Sequence, residues 1–562
     1  MGTLRCKHGE DDILQGKQIM NDYKWTVLSK FKKVKIEDVV KTILGNRGIK
    51  TTNQYEQFLK PKHPDELTLK ELKIDNHQAK KAVERVKQAI GEGEKIIVYG
   101  DYDADGVCAT ATLWETLWSA KADVLPYLPD RFTEGYGLNE KAIQSLKDKY
   151  VNLGLLITVD NGIVARDEVV FAKRLGIDTI ITDHHEKGES YPSEACAVLH
   201  TKCLSGAGIS WVFSREVLGG SLPLDLAAIG TVADQIPLIG PARSFAYYGI
   251  RDLRVTTRCA IKAICEVAGV DQGTIDTYKI NYVLAPRINA SGRMEHAMDS
   301  LRLVCVKDMT KARVLAGHVN EININRQNAV YTALEQAKSS TLDKGSVVVS
   351  SSESYNEGII GLVASRLVEM YYRPAIVFSI NKDVAKASAR SIPGLNIIDL
   401  IRSQSRYLID GGGHEMAAGF SIKTSHLAQF IKNINKVAAK KLTPEILLRK
   451  LNIDLELPLD AVNHALAARI HELEPFGIGN PVPLFLTRRV SVTQARIVGK
   501  EGKHLKLNLT KDGINLPAIA FGMGEATHGI SPGQLIDIVY SLEENTWNGV
   551  SELQLKIRDL RI

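Results

Sequence analysis

The chain has seven cysteines in 562 residues, at positions 6, 108, 196, 203, 259, 265 and 305, and none after that. No two are spaced C-x-x-C and the count is odd, which argues against a disulfide framework and against a thiolate zinc site. Long apolar runs are missing as well. No uninterrupted stretch of 18 apolar residues exists and the N-terminus lacks an apolar signal core, so the expectation is a cytoplasmic chain with no membrane association. Excess charge is also absent: 71 Lys and Arg against 65 Asp and Glu give +6. That is too mild to announce a nucleic-acid binder, yet it permits one if the basic residues cluster. What remains is an ordinary soluble composition, 44% hydrophobic and 24% charged, in a chain long enough for three or four domains.

One stretch organises the rest. Residues 96–99 are a short apolar run that reads as a buried strand, and residues 100–106 set Asp101, Asp103 and Asp105 at alternate positions before Gly106. Three clustered acids repel one another unless a cation shares them, so a hard-metal site is the natural reading. It is not a calcium-binding loop of the D-x-D-x-D-G type, because a strand precedes it and position 112 is Thr. From Lys95 to about Val232 strand candidates (95–99, 122–127, 154–159, 177–182, 196–199) alternate with helical stretches (106–120, 139–149, 164–175, 209–218). Such alternation predicts a mainly parallel sheet covered on both faces. Further apolar segments end in Asp160-Asn161-Gly162, in Asp183-His184-His185-Glu186 and, after 227–233, in Asp234. An oxygen-rich site with one imidazole suits Mn2+ or Mg2+ better than Zn2+.

Gly-Asp-Tyr-Asp-Ala-Asp-Gly (100–106), Val-Asp-Asn-Gly (159–162), Asp-His-His (183–185) and Gly-Thr-Val-Ala-Asp (230–234) resemble the four motifs of the DHH phosphoesterases. In order and spacing they are similar to those of the RecJ single-strand-specific exonucleases. The resemblance implies a site for two Mn2+ or Mg2+ ions with Asp103, Asp105, Asp160, His184 and Asp234 as ligands. It further implies a bridging Asp160, a His185 that faces the phosphate, and catalytic roles for Asp160, Asp183 and His185. One departure is Tyr99, where much of the superfamily has a histidine.

The likeness continues along the chain. Residues 281–293 resemble a RecJ segment, and two arginines with a glycine turn suit bidentate phosphate contact, making Arg287, Asn289 and Arg293 candidate substrate residues. A second α/β unit follows Gly345, with strands at 346–350 and 374–378 and a helix at 359–371. Its later motifs carry Ser388, Arg390, Gly412, Gly413 and His414, where glycines allow close approach to an anion and a following helix N-terminus would favour it. This unit resembles the DHHA1 substrate-binding domain, departing from it at Tyr355-Asn356-Glu357 and at Ala-Ser-Ala-Arg (387–390). Residues 474–481 look like the RecJ segment that leads into an OB-fold, and 486–562 alternate strands with turns such as Asn548-Gly549. Phe485, Lys500, Lys503, His504, Lys506 and Trp547 are the candidate DNA contacts of that barrel.

The expected architecture is an α/β multidomain chain: an extension (1–19), an N-terminal helical segment (20–92), a parallel-sheet DHH domain (93–240), a helical segment and linker helix (241–345), a DHHA1 domain (346–445) and a C-terminal β-barrel OB-fold (446–562). The resemblance implies a metal-dependent, single-stranded-DNA-specific exonuclease, 5′-to-3′, acting in DNA repair and recombination. Its expected partners are single-stranded DNA, a single-strand-binding protein and a helicase, and the expected state is a monomer. Two alternatives stand beside it: a DHH phosphodiesterase of short oligonucleotides or cyclic dinucleotides, and a non-catalytic replication scaffold.

Overall fold

The computed structural model describes residues 23–30, 35–188, 190–340, 345–524, 529–547 and 550–562; the expected extension 1–19 lies outside them. The chain divides into two compact units. One contains Thr51–Asn325 together with Leu473–Pro481; the other contains the described residues up to Lys50, Arg326–Glu472 and Val482–Ile562.

The first unit is built on five parallel strands in the order Asp123–Tyr127, Lys95–Tyr99, Leu153–Val159, Asp178–Asp183, Ala197–His200. Side chains alternate between two apolar layers. Ile96, Val98, Leu155, Ile157 and Val159 join one core, Ile97, Tyr99, Leu153 and Leu156 the other, as a sheet buried on both faces requires. Parallel strands bring their carboxyl ends to one edge. The strand order reverses between Lys95–Tyr99 and Leu153–Val159, and at such a switch point a crevice opens for ligands. The turns bearing Asp101–Asp105 and Asp160 leave the sheet there.

Two expectations need correction in this unit, and one apolar run that the sequence left unassigned resolves as helix. Residues 227–233 form part of a helix, Asp225–Ala233, since a seven-residue apolar run has no period that separates strand from buried helix. Residues 281–293 are not a loop with a glycine turn: a π-helical turn, Ile280–Leu284, runs into the helix Ala285–Met294. Gly292 lies inside that helix because an added Cβ there would meet the Tyr102 carbonyl. Finally, Leu473–Pro481 belongs with this unit and interrupts the expected 446–562 domain.

In the second unit a mixed five-stranded sheet runs Leu408–Gly413, Ala417–Lys423, Val384–Arg390, Ala375–Asn381, Val348–Ser352. Only its last pair is parallel. The 411–413 glycines sit on its edge strand and hairpin back into Ala417–Lys423; no helix N-terminus follows them, contrary to the expected anion cradle. A five-stranded barrel follows, Phe485–Val498, His504–Lys511, Ile514–Ala520, Leu535–Trp547 and Val550–Arg561. It is closed by pairing of its first strand with Leu535–Trp547 and of Ala518–Ile519 with Leu555–Lys556. The N-terminal segment is not wholly helical: Lys24–Val27 is a strand parallel to Lys450–Ile453. Trp25 holds it there, donating its indole N–H to Asp559 at 2.7 Å under the Arg561 guanidinium. Four residues whose partner lies more than 400 positions away carry no local signal. The boundary between the units falls within the 32-residue helix Met309–Ser340.

Candidate metal centre

Asp103 caps the helix Ala104–Ser119: its Oδ1 accepts from the amides of Asp105 (2.9 Å) and Gly106 (3.0 Å). This shape turns the chain sharply at the end of its strand, and only glycine fits at 106, where a Cβ would stand 2.6 Å from the Asp101 carbonyl oxygen. Asp105 points inward, 1% exposed, and takes the amides of Gly206 (2.7 Å) and Ala207 (2.9 Å) at the start of helix Gly206–Leu218. A helix N-terminus favours such a carboxylate.

Asp160 holds a left-handed backbone, φ 64°, a conformation that persists in a non-glycine residue only where its surroundings impose it. Here its amide donates to the Thr182 carbonyl at 2.9 Å, and buried Asn161 donates to the carbonyls of Val159 and Tyr99. Asp183 spends its oxygens on the amides of Ile163, His184 and His185 and on His185 Nδ1, at 2.7–3.1 Å. It therefore orients the two histidines.

These elements bring the expected ligands together. His184 Nε2 lies 3.0 Å from Asp160 Oδ1, 3.6 Å from Asp234 and 3.9 Å from Asp105. Asp101, Asp103 and Asp160 form a second group, each offering an oxygen within 4.8 Å of the others'. Asp160 therefore adjoins both groups. His184 Nε2, Asp160 Oδ1 and Asp101 Oδ1 are buried without a hydrogen-bond partner among the described residues. Buried polar atoms in proteins are generally paired, and Asp160 Oδ1 and His184 Nε2, 3.0 Å apart with no hydrogen bond between them, are placed as a shared cation would require. The donor set, five carboxylates and one imidazole, fits Mn2+ or Mg2+.

Several participants lie outside the ligand set that the resemblance implied. Asp101, 5% exposed, joins the second group, whereas the resemblance gave ligand roles only to Asp103 and Asp105 in that motif. Gly206 and Gly230 are the packing floor: a Cβ on either would collide with Asp160 or Asp105. Tyr136 sets its hydroxyl 3.4 Å from His185, and Arg131 lies 5.1 Å over the Tyr102 ring. Tyr99, in the place of the superfamily histidine, is fully buried and donates to the Gly137 carbonyl while accepting from Asn139. It is a structural residue here and joins neither acidic group.

The other candidates are dispersed. Asn289 accepts the Ala104 amide at 2.7 Å, so its oxygen braces the Asp103 turn. Arg287 donates to Asn320 and to the Val283 carbonyl, while Arg293 lies near Tyr102. In the second unit Arg390 donates to Ser388 and packs against Gly361 in the first turn of helix Ile360–Tyr371. Gly412 and His414 are exposed on the edge hairpin beside Gly413. In the barrel, Phe485 is fully buried and is core, not a stacking platform. Lys503 pairs with Glu501 at 2.7 Å. The side chains of Lys500 and Trp547 and the 548–549 turn lie outside the described residues. Lys506 faces outward between buried Leu505 and Leu507, and His504 packs edge-on against exposed Phe521 (5.2 Å).

Titration follows from the crowding. Burial and then the neighbouring carboxylates push Asp101 and Asp160 well above the usual range, Asp105 up to about 6 and Asp234 up to about 8. Burial drops His184 to about 4. Burial also opposes charge on His185, but its bond to Asp183 prevails and raises it to about 9. Asp234 and His185 thus have folded values above their unfolded ones, so the stability they contribute is complete at low pH and lost as pH rises through about 8 and 9. His184 acts oppositely, but its change is over by about pH 6.5. The melting temperature of metal-free protein is therefore expected to fall between about pH 6.5 and 9, and saturating Mn2+ to reverse the fall. A melting temperature that climbs over that window in chelator would contradict this electrostatic reading.

Comparison with known proteins agrees with the geometry. Family models match the DHH family N-terminal domain over 95–231, the DHHA1 domain over 344–440 and the RecJ OB domain over 453–559. The single-stranded-DNA-specific exonuclease RecJ of Bacillus subtilis is 37% identical over 545 residues, 94% of this chain and 68% of that one. Its counterpart from Salmonella typhimurium is 30% identical over 93% of this chain and 95% of its own. Among solved structures, RecJ from Thermus thermophilus in complex with Mn2+ matches with a TM-score of 0.82 at 27% identity, over 96% of this chain and 80% of that one. Its Mg2+ complex matches at 0.76 and 26% identity, over 96% and 79%. In sequence, in the order of its domains and in fold, the chain belongs to the RecJ family of single-stranded-DNA-specific exonucleases.

Proposed function

We propose that this chain is a Mn2+- or Mg2+-dependent exonuclease of single-stranded DNA that works 5′-to-3′ in DNA repair and recombination. The observation that carries the proposal is the set of orphaned donor atoms on Asp101, Asp160 and His184, with Asp160 facing His184 at 3.0 Å and grouped also with Asp101, in a chain of this family. Asp103, Asp105, Asp160, His184 and Asp234, with Asp101 added, are the proposed ligands, and Asp160 the bridge. Two bound ions would supply hydroxide at neutral pH and neutralise charge on the attacking and leaving oxygens. The chain's own contribution is to hold those carboxylates in one crevice against their mutual repulsion. His185, kept protonated by Asp183 at neutral pH, donates to a phosphate oxygen where charge develops. Arg287, Arg293, Ser388, Arg390, Gly412, Gly413 and His414 are the proposed phosphate contacts.

The barrel supports a strand rather than a dinucleotide as substrate. Arg496, Lys506 and Lys556 fall in one cross-strand row through Ile519, and Lys556 lies 5.1 Å over the Phe521 ring. Cations beside an exposed ring suit phosphates and a stacked base. A single-strand-binding protein and a helicase are the expected partners, the cytoplasm the expected compartment and a monomer the expected state; among the described residues no helix is long and apolar enough to cross a membrane. The test is a time course on single strands labelled at either end, and on the duplex, in Mn2+, Mg2+ or chelator. Mononucleotides released from the 5′ end of the single strand, only with metal, are expected. Metal-independent cleavage or equal attack on duplex would overturn the proposal.

A further inference from the structure

The segment Leu473–Pro481 reaches the first unit from sequence far beyond it, and both of its flanks belong to the second unit. Its docking is specific. Arg243, 1% exposed, donates through its guanidinium to the carbonyls of Glu474 (2.7 Å), Pro475 (3.2 Å) and Phe58 (2.8 Å). Asn480, fully buried, donates to the carbonyls of Leu473 and Pro475, both at 2.8 Å, and closes a reciprocal backbone pair with Gly477. The segment is thus a tight loop whose shape Asn480 maintains from inside and whose place Arg243 secures.

What it lies against gives it significance. The Leu238 amide donates to the Ile478 carbonyl at 2.7 Å, Gly477 rests on the Leu238 side chain, and Gly479 on Pro237. Leu238 is four residues past Asp234. Between them the chain leaves the helix Asp225–Ala233 at Asp234 and turns through Gln235, whose φ is 58°. The Asp234 backbone therefore lies in a short turn with two fixed ends, the helix on one side and residues 473–481 on the other. A Cβ at 477 would stand 2.7 Å from Leu238 Cδ1, so that an added methyl group there must displace the Leu238 side chain.

We propose that residues 473–481 form a strap that positions Asp234 for metal binding, with Asn480, Gly477 and Arg243 as positioning residues that touch no reacting atom. The inference rests on the metal reading of the centre. Outer supports of metal ligands typically govern affinity by roughly 10- to 100-fold. Slackening the strap should accordingly weaken metal binding far more than it lowers the stability of the metal-free fold.

The test uses the full chain with Asn480→Ala and, independently, Gly477→Ala. Mn2+ binding is followed by calorimetry, metal-free melting by fluorescence, and hydrolysis at saturating metal for KM. Each variant is expected to bind Mn2+ at least about tenfold more weakly, with KM for a single strand unchanged. Adding Leu238→Ala to Gly477→Ala, which clears the clash, should recover part of the affinity. Gly477→Ala, the milder change, keeps the test open if Asn480→Ala does not fold. Wild-type protein that binds no Mn2+ would overturn the metal centre and this role with it. Wild-type binding that stays within about twofold in both variants, or a loss that only tracks melting, would overturn the strap alone.

Discussion

Asp160→Ala is expected to abolish hydrolysis while leaving the fold intact, because this carboxylate adjoins both acidic groups and no other oxygen can replace it. Removing it also relieves repulsion: burial and the charges of Asp105 and Asp103 raise its proton affinity in the metal-free protein. Stability in chelator should therefore hold or rise, and the pH-dependent fall described above should shrink. Retention of more than about a tenth of the wild-type rate in saturating Mn2+ would be incompatible with a bridging role. Asp183→Asn separates orientation from ligation. It keeps one acceptor for the amides but weakens the hold on the His185 charge, so metal binding should persist as the rate falls.

The second large effect is expected at the barrel. Arg496→Gln, Lys506→Gln and Lys556→Gln combined should weaken binding of a ~20-nucleotide strand at least about tenfold at low salt and flatten its salt dependence by about 2, roughly 0.7 for each phosphate left unneutralised. Cleavage of a dinucleotide, which offers the metal centre one phosphodiester and the barrel no strand to hold, should be unchanged. Anisotropy titrations at several salt concentrations read both numbers for the longer strand. An unaltered slope would make the cross-strand row an ordinary solvated face and would remove the barrel's part in holding the strand.

Much of the catalytic half was legible in the sequence. Strands buried on both faces read as apolar runs, and the polar residues that end them have one edge to occupy once the sheet is parallel. That geometry gathers the strand-end acids and histidines, while the particular set Asp103, Asp105, Asp160, His184 and Asp234 came from the resemblance to the DHH motifs, Asp234 standing at the end of a helix. What escaped was of a different kind. The run 227–233 could be strand or helix on composition, and the helix won because it packs against Ala104–Ser119 and Gly240–Val255. The arginines of 281–293 suggested a loop, yet that segment is helical and spends Asn289 on the Ala104 amide. Gly206 and Gly230 carry no local signal of their role, since each makes room for a carboxylate contributed from elsewhere. Lys24–Val27 and Leu473–Pro481 find their partners hundreds of residues away, and no local period encodes such pairing.

The central claim is that one crevice holds two divalent ions with Asp160 between them. Calorimetric titration of metal-free protein with Mn2+ at about pH 8 tests it most directly. Two ions per chain are expected for the wild type, with protons released on binding because Asp160 and its neighbours must ionise, and the paired stoichiometry should be lost in Asp160→Ala. A single ion in the wild type, or two that survive in Asp160→Ala with unchanged affinity, would contradict it.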